Sequence, residues 1–129
     1  MAEQYETARR QLQACFQLIL KESPPWWSGQ SSAWHVLGTL CAATGERTAA
    51  VSHWRRGLVL AVRASDPMLT AVHTRDVLMH TTDSASAGNI HLNAVEREQL
   101  LTSGLAAAKK VSDPTLVKTF MDLRRRLTI

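Results

Sequence analysis

Cysteine is scarce in this chain of 129 residues, because only Cys15 and Cys41 occur. Two cysteines are too few for the disulfide framework that stabilises small loop-rich secreted domains. Both fall on apolar stripes with helical spacing, where a reduced cysteine behaves as a small apolar side chain. We therefore predict two buried free thiols and a reducing, intracellular environment.

Long apolar runs and clustered glycines are also missing. The longest wholly apolar run covers only residues 58–62, whereas a membrane-spanning helix needs about 20 such residues. The opening residues MAEQYETARR lack the basic and apolar regions of a signal peptide. The six glycines are isolated from one another, so no phosphate-binding loop is predicted. These absences favour a soluble intracellular chain with no membrane contact.

The histidines show no metal-ligand pattern. A zinc site needs three or four converging ligands, and no histidine pairs with a cysteine or with another histidine at a ligand spacing. His73 and His80 are two helical turns apart and could share one face. We predict surface or partner-facing histidines, no metal, no cofactor and no catalytic site. The five histidines are His35, His53, His73, His80 and His91.

The charge of the chain is mildly basic, with a net charge of +4 and a pI near 9.6. This balance permits an acidic partner, but it does not require nucleic acid. The lysines and arginines are spread in short groups over separate helices. A nucleic-acid interface usually gathers basic residues on one face, so we predict solvated helix faces and no nucleic-acid binding.

The spacing of apolar residues predicts six helices and no strand in a single domain covering residues 1–129. Gly45 can take the left-handed conformation that closes a helix. Asp66-Pro67 and Asp113-Pro114 are typical helix starts, since Asp caps free N–H groups and Pro fits the first helical position. The predicted helices cover approximately residues 3–21, 32–44, 47–64, 67–81, 93–111 and 115–127.

An adjacent tryptophan pair, Trp26 and Trp27, lies in the predicted connector before the second helix. Tryptophan is enriched at the energetic centres of protein interfaces, so this pair is the strongest single candidate for a partner contact. The alternative is that one or both rings fold over the seam between the first two helices and stabilise the domain.

The chain also contains an internal repeat. Residues 57–71 (GLVLAVRASDPMLTA) align without gaps on residues 104–118 (GLAAAKKVSDPTLVK), at an offset of 47 residues. Each copy covers the end of one helix, the Asp-Pro cap and the start of the next helix. A tandem repeat of this size indicates helix pairs that stack on their neighbours.

Residues 33–61 resemble a tetratricopeptide repeat, and the pattern is carried by Trp34, Leu37, Gly38, Gly45, Ala50, Trp54, Leu58 and Ala61. The match departs at Cys41, where an aromatic residue is usual, and at Gly57, where alanine is usual. The resemblance implies an all-α, right-handed solenoid of antiparallel helix pairs. It also implies an adaptor or complex subunit that binds a helix or extended segment of another protein in a groove. By this resemblance the groove residues are Ser32, His35, Thr39, Ala43, His73 and Asp76.

A narrower resemblance concerns the end of the chain. Ser112-Asp113-Pro114, followed by Leu116, Phe120 and Arg124, is similar to the closing segment of small helical-repeat chaperones for type III secretion needle subunits. This resemblance implies an alternative function, a dedicated chaperone that requires a co-folding partner. The chain holds about two complete repeats, and about three are usual for a stable stack. Either the end helices cap the stack or a partner completes it.

Overall fold

The computed structural model describes residues 2–22, 25–81 and 92–127, and all regular structure in these ranges is helical. The predicted all-α class is confirmed. The loop predicted between the fourth and fifth helices lies in residues 82–91, outside the described ranges, and so does His91. The six helices are α1 (Ala2–Leu20), α2 (Trp27–Ala43), α3 (Arg47–Arg63), α4 (Pro67–Thr81), α5 (Ala94–Lys110) and α6 (Pro114–Leu127).

The two copies of the internal repeat have the same turn. Ser65 and Ser112 both take left-handed backbone angles, with φ of 54° and 55°. The next residue in each copy is an aspartate that caps the following helix. Asp66 Oδ1 accepts a hydrogen bond from Leu69 N at 3.1 Å, and Asp113 Oδ1 accepts one from Leu116 N at 3.1 Å. The 47-residue repeat is therefore present in the backbone as well as in the sequence.

The predicted role of Gly45 is confirmed. Gly45 closes the α2–α3 turn with φ of +82°, a conformation that glycine adopts without steric cost. Asn93 and Glu96 form a capping box at the start of α5, and Glu96 N donates to Asn93 Oδ1 at 2.8 Å. The second helix begins at Trp27 and not near Ser32 as predicted, because Ser28, Gly29 and Gln30 continue the helix towards its N-terminus.

Close contact between a glycine and a ring recurs at three helix seams. In each case the ring follows its glycine by 16 residues. A Cβ added to the glycine would lie 2.2–2.5 Å from a ring atom, so no other residue fits without movement of the ring. The small residue lets the two helices approach closely. The three pairs are Gly38 with Trp54, Gly57 with His73, and Gly104 with Phe120.

The helices pack in chain order, and α4 also contacts α2 and α6. For this reason α4 is buried on several sides, and Val77 and Leu78 have no exposed surface. Trp54 and Phe120 are the two largest fully buried side chains of the core. No helix of the described residues combines the length and the apolar character needed to cross a bilayer.

Helix α1 packs against α2, and the rings of Phe16 and Trp34 form a T-shaped pair with centroids 4.8 Å apart. With one helical neighbour, α1 buries only a narrow stripe. The prediction that Cys15 is buried is wrong, because this residue faces solvent beside that stripe. Cys41, two residues before the end of α2, is buried as predicted.

Candidate binding groove

A groove of about 460 Å³ lies where α1, α2 and the start of α4 meet. Its charged lining residue is Asp66, whose carboxylate is already used as the cap of α4. The remaining walls are apolar or carry small hydroxyls. We call this surface the α1–α2–α4 groove, and its principal lining residues are Leu12, Ile19, Trp26, Ser32, Val36 and Met68.

The two adjacent tryptophans separate at the start of α2. Trp26 precedes the helix and lies at the groove, with 57% of its surface exposed. Its ring folds back against Gly29, where a Cβ would come within 2.3 Å of Trp26 Cε3. Trp27 is the first residue of α2, and the Arg63 guanidinium lies 4.9 Å from its ring centroid. Trp26 is therefore the groove residue, and Trp27 links α2 to α3.

The exposed face of α2 contains three of the predicted groove residues. Ser32 lines the groove directly, and Thr39 and Ala43 lie on the same exposed face nearer the end of the helix. The Thr39 hydroxyl donates to the carbonyl oxygen of His35 at 2.9 Å, so it is satisfied within α2. Val36 lies between Ser32 and Thr39 on this face and adds apolar surface to the groove.

His73 and Asp76 do not line the groove as predicted. His73 has no exposed surface, and Asp76 is 9% exposed. The prediction was wrong because it took the outer positions of α4 from the repeat pattern, whereas the contacts of α4 with α2, α3, α5 and α6 enclose those positions. Both residues belong to the seam between α2 and α4. The prediction of a surface-exposed histidine therefore fails at His73.

His35 connects the face of α2 to this seam. Its Nε2 lies 2.6 Å from Asp76 Oδ2, and Arg75 Nε donates to Asp76 Oδ1 at 3.1 Å. Burial by itself raises the pKa of the Asp76 carboxyl, but the hydrogen bonds with His35 and Arg75 outweigh burial and hold the pKa below its ordinary value. A negative charge on Asp76 is thus stabilised between α2 and α4.

The ring of His73 lies between two carbonyl oxygens. Nδ1 is 2.7 Å from the oxygen of Leu69, and Nε2 is 3.1 Å from the oxygen of Ser31. A neutral imidazole carries one N–H and can donate to only one of them. Burial lowers the pKa of His73 below its ordinary value of 6.5, and the two carbonyls oppose this shift without reversing it. The ring therefore ties α4 to α2 while it remains mostly neutral near pH 7.

The other polar and aromatic groups near this seam also link neighbouring helices. The Ser31 hydroxyl is fully buried and donates to the carbonyl oxygen of Gly57 at 2.8 Å. His53 stacks on Trp34 at 5.3 Å between ring centroids, and His80 lies against Trp54 at 4.6 Å. In the ranges that the structure describes, no three His, Cys, Asp or Glu side chains are arranged to hold a metal ion.

Sequence reasoning missed the apolar walls of the groove. Leu12 and Ile19 are seven residues apart on α1, a spacing typical of a buried helical stripe, but both remain partly exposed. Val36 could have been found, because it lies one helical turn after Ser32 on the same face. Met68 had no comparable signal, since its position depends on how α4 crosses α2.

Comparison of the chain with protein-family models, with curated proteins and with solved structures finds no match.

Proposed function

We propose that this chain is a non-catalytic interaction module that binds an apolar helix or extended segment of another polypeptide in the α1–α2–α4 groove. The observation that carries the proposal is a group of large apolar side chains left exposed around one concave surface. Trp26 is 57% exposed, Val36 47% and Met68 42%. Contiguous exposed apolar surface of this kind is typical of binding sites, and tryptophan is enriched among residues that dominate binding energy.

The packing supports a stack of the tetratricopeptide type as part of this proposal. Helices α2, α4 and α6 are first helices of successive pairs, and α4 contacts both of the others. The glycine–ring seams bring consecutive helices close together, as the small positions of that repeat do. A partner that lies along the first helices would begin at Trp26 and continue past Val36 towards Thr39. Cys15 is exposed and Cys41 is buried, and both are free thiols, as is usual for proteins of a reducing compartment such as the cytoplasm.

The expected affinity is moderate. Covering a half-exposed Trp, Val or Met contributes on the order of 1 kcal/mol for each side chain, and Trp more. Part of this favourable binding free energy is offset by the conformational, translational and rotational freedom that the partner loses on binding. We therefore expect dissociation constants on the order of micromolar for a short peptide.

The test begins with selection of displayed peptides on the immobilised protein, followed by titration calorimetry with the best binder. Trp26→Ala should weaken binding about 30-fold, the size of a 2 kcal/mol contact. Val36→Asp should also weaken it strongly, because it places a charge in the apolar groove. Val59→Asp is the matched control, since Val59 is an exposed valine on α3, away from the groove. Equal losses from Val36→Asp and Val59→Asp would contradict the proposal.

A dedicated chaperone remains the second candidate, and one observation favours it. The end of α1 leaves Leu18 67% exposed and Leu20 about half exposed, which is a large apolar surface for a helix with one packed neighbour. A chain that needs a co-folding partner should aggregate alone and become monodisperse with one co-expressed protein. Gel filtration separates the candidates, because an adaptor should elute as a stable monomer.

A further inference from the structure

A second and larger groove, of about 850 Å³, lies on the outer side of the α5–α6 pair. Its lining is mainly apolar and includes Leu105, Val117 and Met121. The basic lining residues are Lys109, Lys118, Arg124 and Arg125, and the acidic ones are Asp113, which caps α6, and Asp122, which pairs with Arg125. We call this surface the α5–α6 groove. It is formed by different helices from those of the α1–α2–α4 groove.

The internal repeat identifies a surface of the first copy that corresponds to the α5–α6 groove, and α5 lies beside that surface. Five positions of the α3–α4 corner have their equivalents 47 residues later in the α5–α6 groove. In the first copy, α5 packs against α4, and Ser103, Ala106, Ala107 and Lys110 of α5 face the corner across a groove of about 370 Å³. The corresponding positions are Val62 with Lys109, Ser65 with Ser112, Asp66 with Asp113, Pro67 with Pro114, and Thr70 with Val117.

The neighbouring helix positions agree with this correspondence. Thr74 of α4 is fully buried and faces Gly104 of α5, where its Cγ2 would lie 2.9 Å from an added Cβ. Its counterpart on α6 is Met121, which is 54% exposed. The same backbone turn is thus present twice, once with α5 beside it and once with apolar side chains facing solvent.

We propose that the α5–α6 groove binds an amphipathic α-helix of a partner protein, in the position that α5 takes on the α3–α4 corner. This goes beyond the proposed function and does not rest on the α1–α2–α4 groove. The partner helix carries small residues on the side that faces the Asp-Pro corner, as α5 does with Ser103, Ala106 and Ala107.

The expected charge of the partner helix follows from the residues that differ between the two copies of the repeat. Val62 is replaced by Lys109, and the fully buried Ala71 by the exposed Lys118. Two positions that are neutral in the first copy, the exposed Val62 and the buried Ala71, are therefore basic in the α5–α6 groove. Carboxylates on the partner helix would complement them, and oppositely charged pairs at an interface favour both encounter and correct register. The occupant is a helix with a Ser/Ala seam and acidic flanks.

The probe is a synthetic peptide with the α5 sequence, residues 93–111, cross-linked between the positions of Glu98 and Thr102. Both of those positions are exposed in α5, and the cross-link offsets the low stability of an isolated helix of this length. In a second peptide the residue equivalent to Lys110 is glutamate, so that a carboxylate meets Lys109. Fluorescence anisotropy with the full chain should show about threefold tighter binding of the glutamate peptide, the size of an exposed ion pair.

Two variants of the protein complete the test. Lys109→Glu should reverse the preference between the two peptides, and Met121→Asp should abolish binding of both. Met68→Asp is the matched control, because it places the same charge on an exposed methionine in the other groove and should leave peptide binding unchanged. This control separates failure here from failure of the proposed function.

Two results would overturn the proposal. Binding that is unaffected by Met121→Asp would show that the peptide displaces the chain's own α5 from the α3–α4 corner. No binding of either helical peptide at millimolar concentration would show that the charged outer face of α6 is a cap that ends the stack, as terminal repeats require for solubility.

Discussion

Replacement of Gly57 by alanine tests whether the α2–α4 seam is held by His73. A Cβ on Gly57 would lie 2.2 Å from His73 Nε2 and 2.6 Å from His73 Cδ2. Both distances are far below a van der Waals contact, so the imidazole must move. Its movement would break the contacts with the carbonyl oxygens of Ser31 and Leu69, at 3.1 and 2.7 Å.

The magnitude follows from three opposing contributions. Overpacking of a tight seam costs about 1–3 kcal/mol. A buried polar group that loses its partner adds about 1–3 kcal/mol. The change from glycine to alanine inside a helix raises the free energy of unfolding by about 1 kcal/mol. We expect a net loss of about 2–4 kcal/mol in the free energy of unfolding, equivalent to roughly 8–15 °C in the melting temperature of a domain of this size.

The assay is urea unfolding followed by circular dichroism, in the wild-type chain and in a His73→Ala background. Without the imidazole the tight contact that remains is Trp34 Cβ, 3.1 Å from the added methyl group, so Gly57→Ala should cost at least about 1 kcal/mol less in that background. Gly45→Ala is the control, because nothing lies within 4 Å of its Cβ position and its cost comes from the backbone angle alone. An equal cost of Gly57→Ala in both backgrounds would refute the role given to His73.

Three further predictions concern pH, the turns and the tryptophans. Because burial lowers the pKa of His73 in the folded chain, the unfolded chain binds more protons below the ordinary value of 6.5. Stability is therefore fully present above that pH and is lost as the pH falls below it, and urea titrations should show a smaller pH dependence for His73→Gln. Ser65→Gly and Ser112→Gly relieve left-handed serine backbones and should each raise the free energy of unfolding by about 0.5–1 kcal/mol, measured in the same way. Trp26→Ala should change the melting temperature by no more than about 2 °C, as expected of an exposed side chain, whereas Trp27→Ala should lower it further because Trp27 packs on Arg63.

The helices and turns were predictable because their causes are local. Gly45, the two Asp-Pro caps and the Asn93–Glu96 capping box each act within a few residues of one another, so the sequence contains the whole interaction. The repeat was predictable for the same reason, since both copies contain the complete turn and its cap. The start of α2 was missed because no side-chain cap marks it.

Of the residues predicted for a partner contact, Trp26 and Ser32 line the α1–α2–α4 groove. Thr39 and Ala43 share the exposed face of α2 with Ser32, which helical spacing defines, but they do not line the groove. The burial of His73 depends on how α4 crosses α2 and α3, and no local pattern contains that crossing. The exposure of Met68 was unpredictable for the same reason, because an apolar residue beside a helix cap is usually expected to be buried.

The constant separation between each glycine and the ring that covers it has a consequence for how the chain assembles. Each seam is closed by two residues only 16 positions apart, so the loop that must be ordered to form it is short and its entropic cost small. Proteins dominated by such near-neighbour contacts fold rapidly, and arrays of this kind can nucleate at any unit. We therefore expect millisecond or faster folding, with neither end of the chain required to form first.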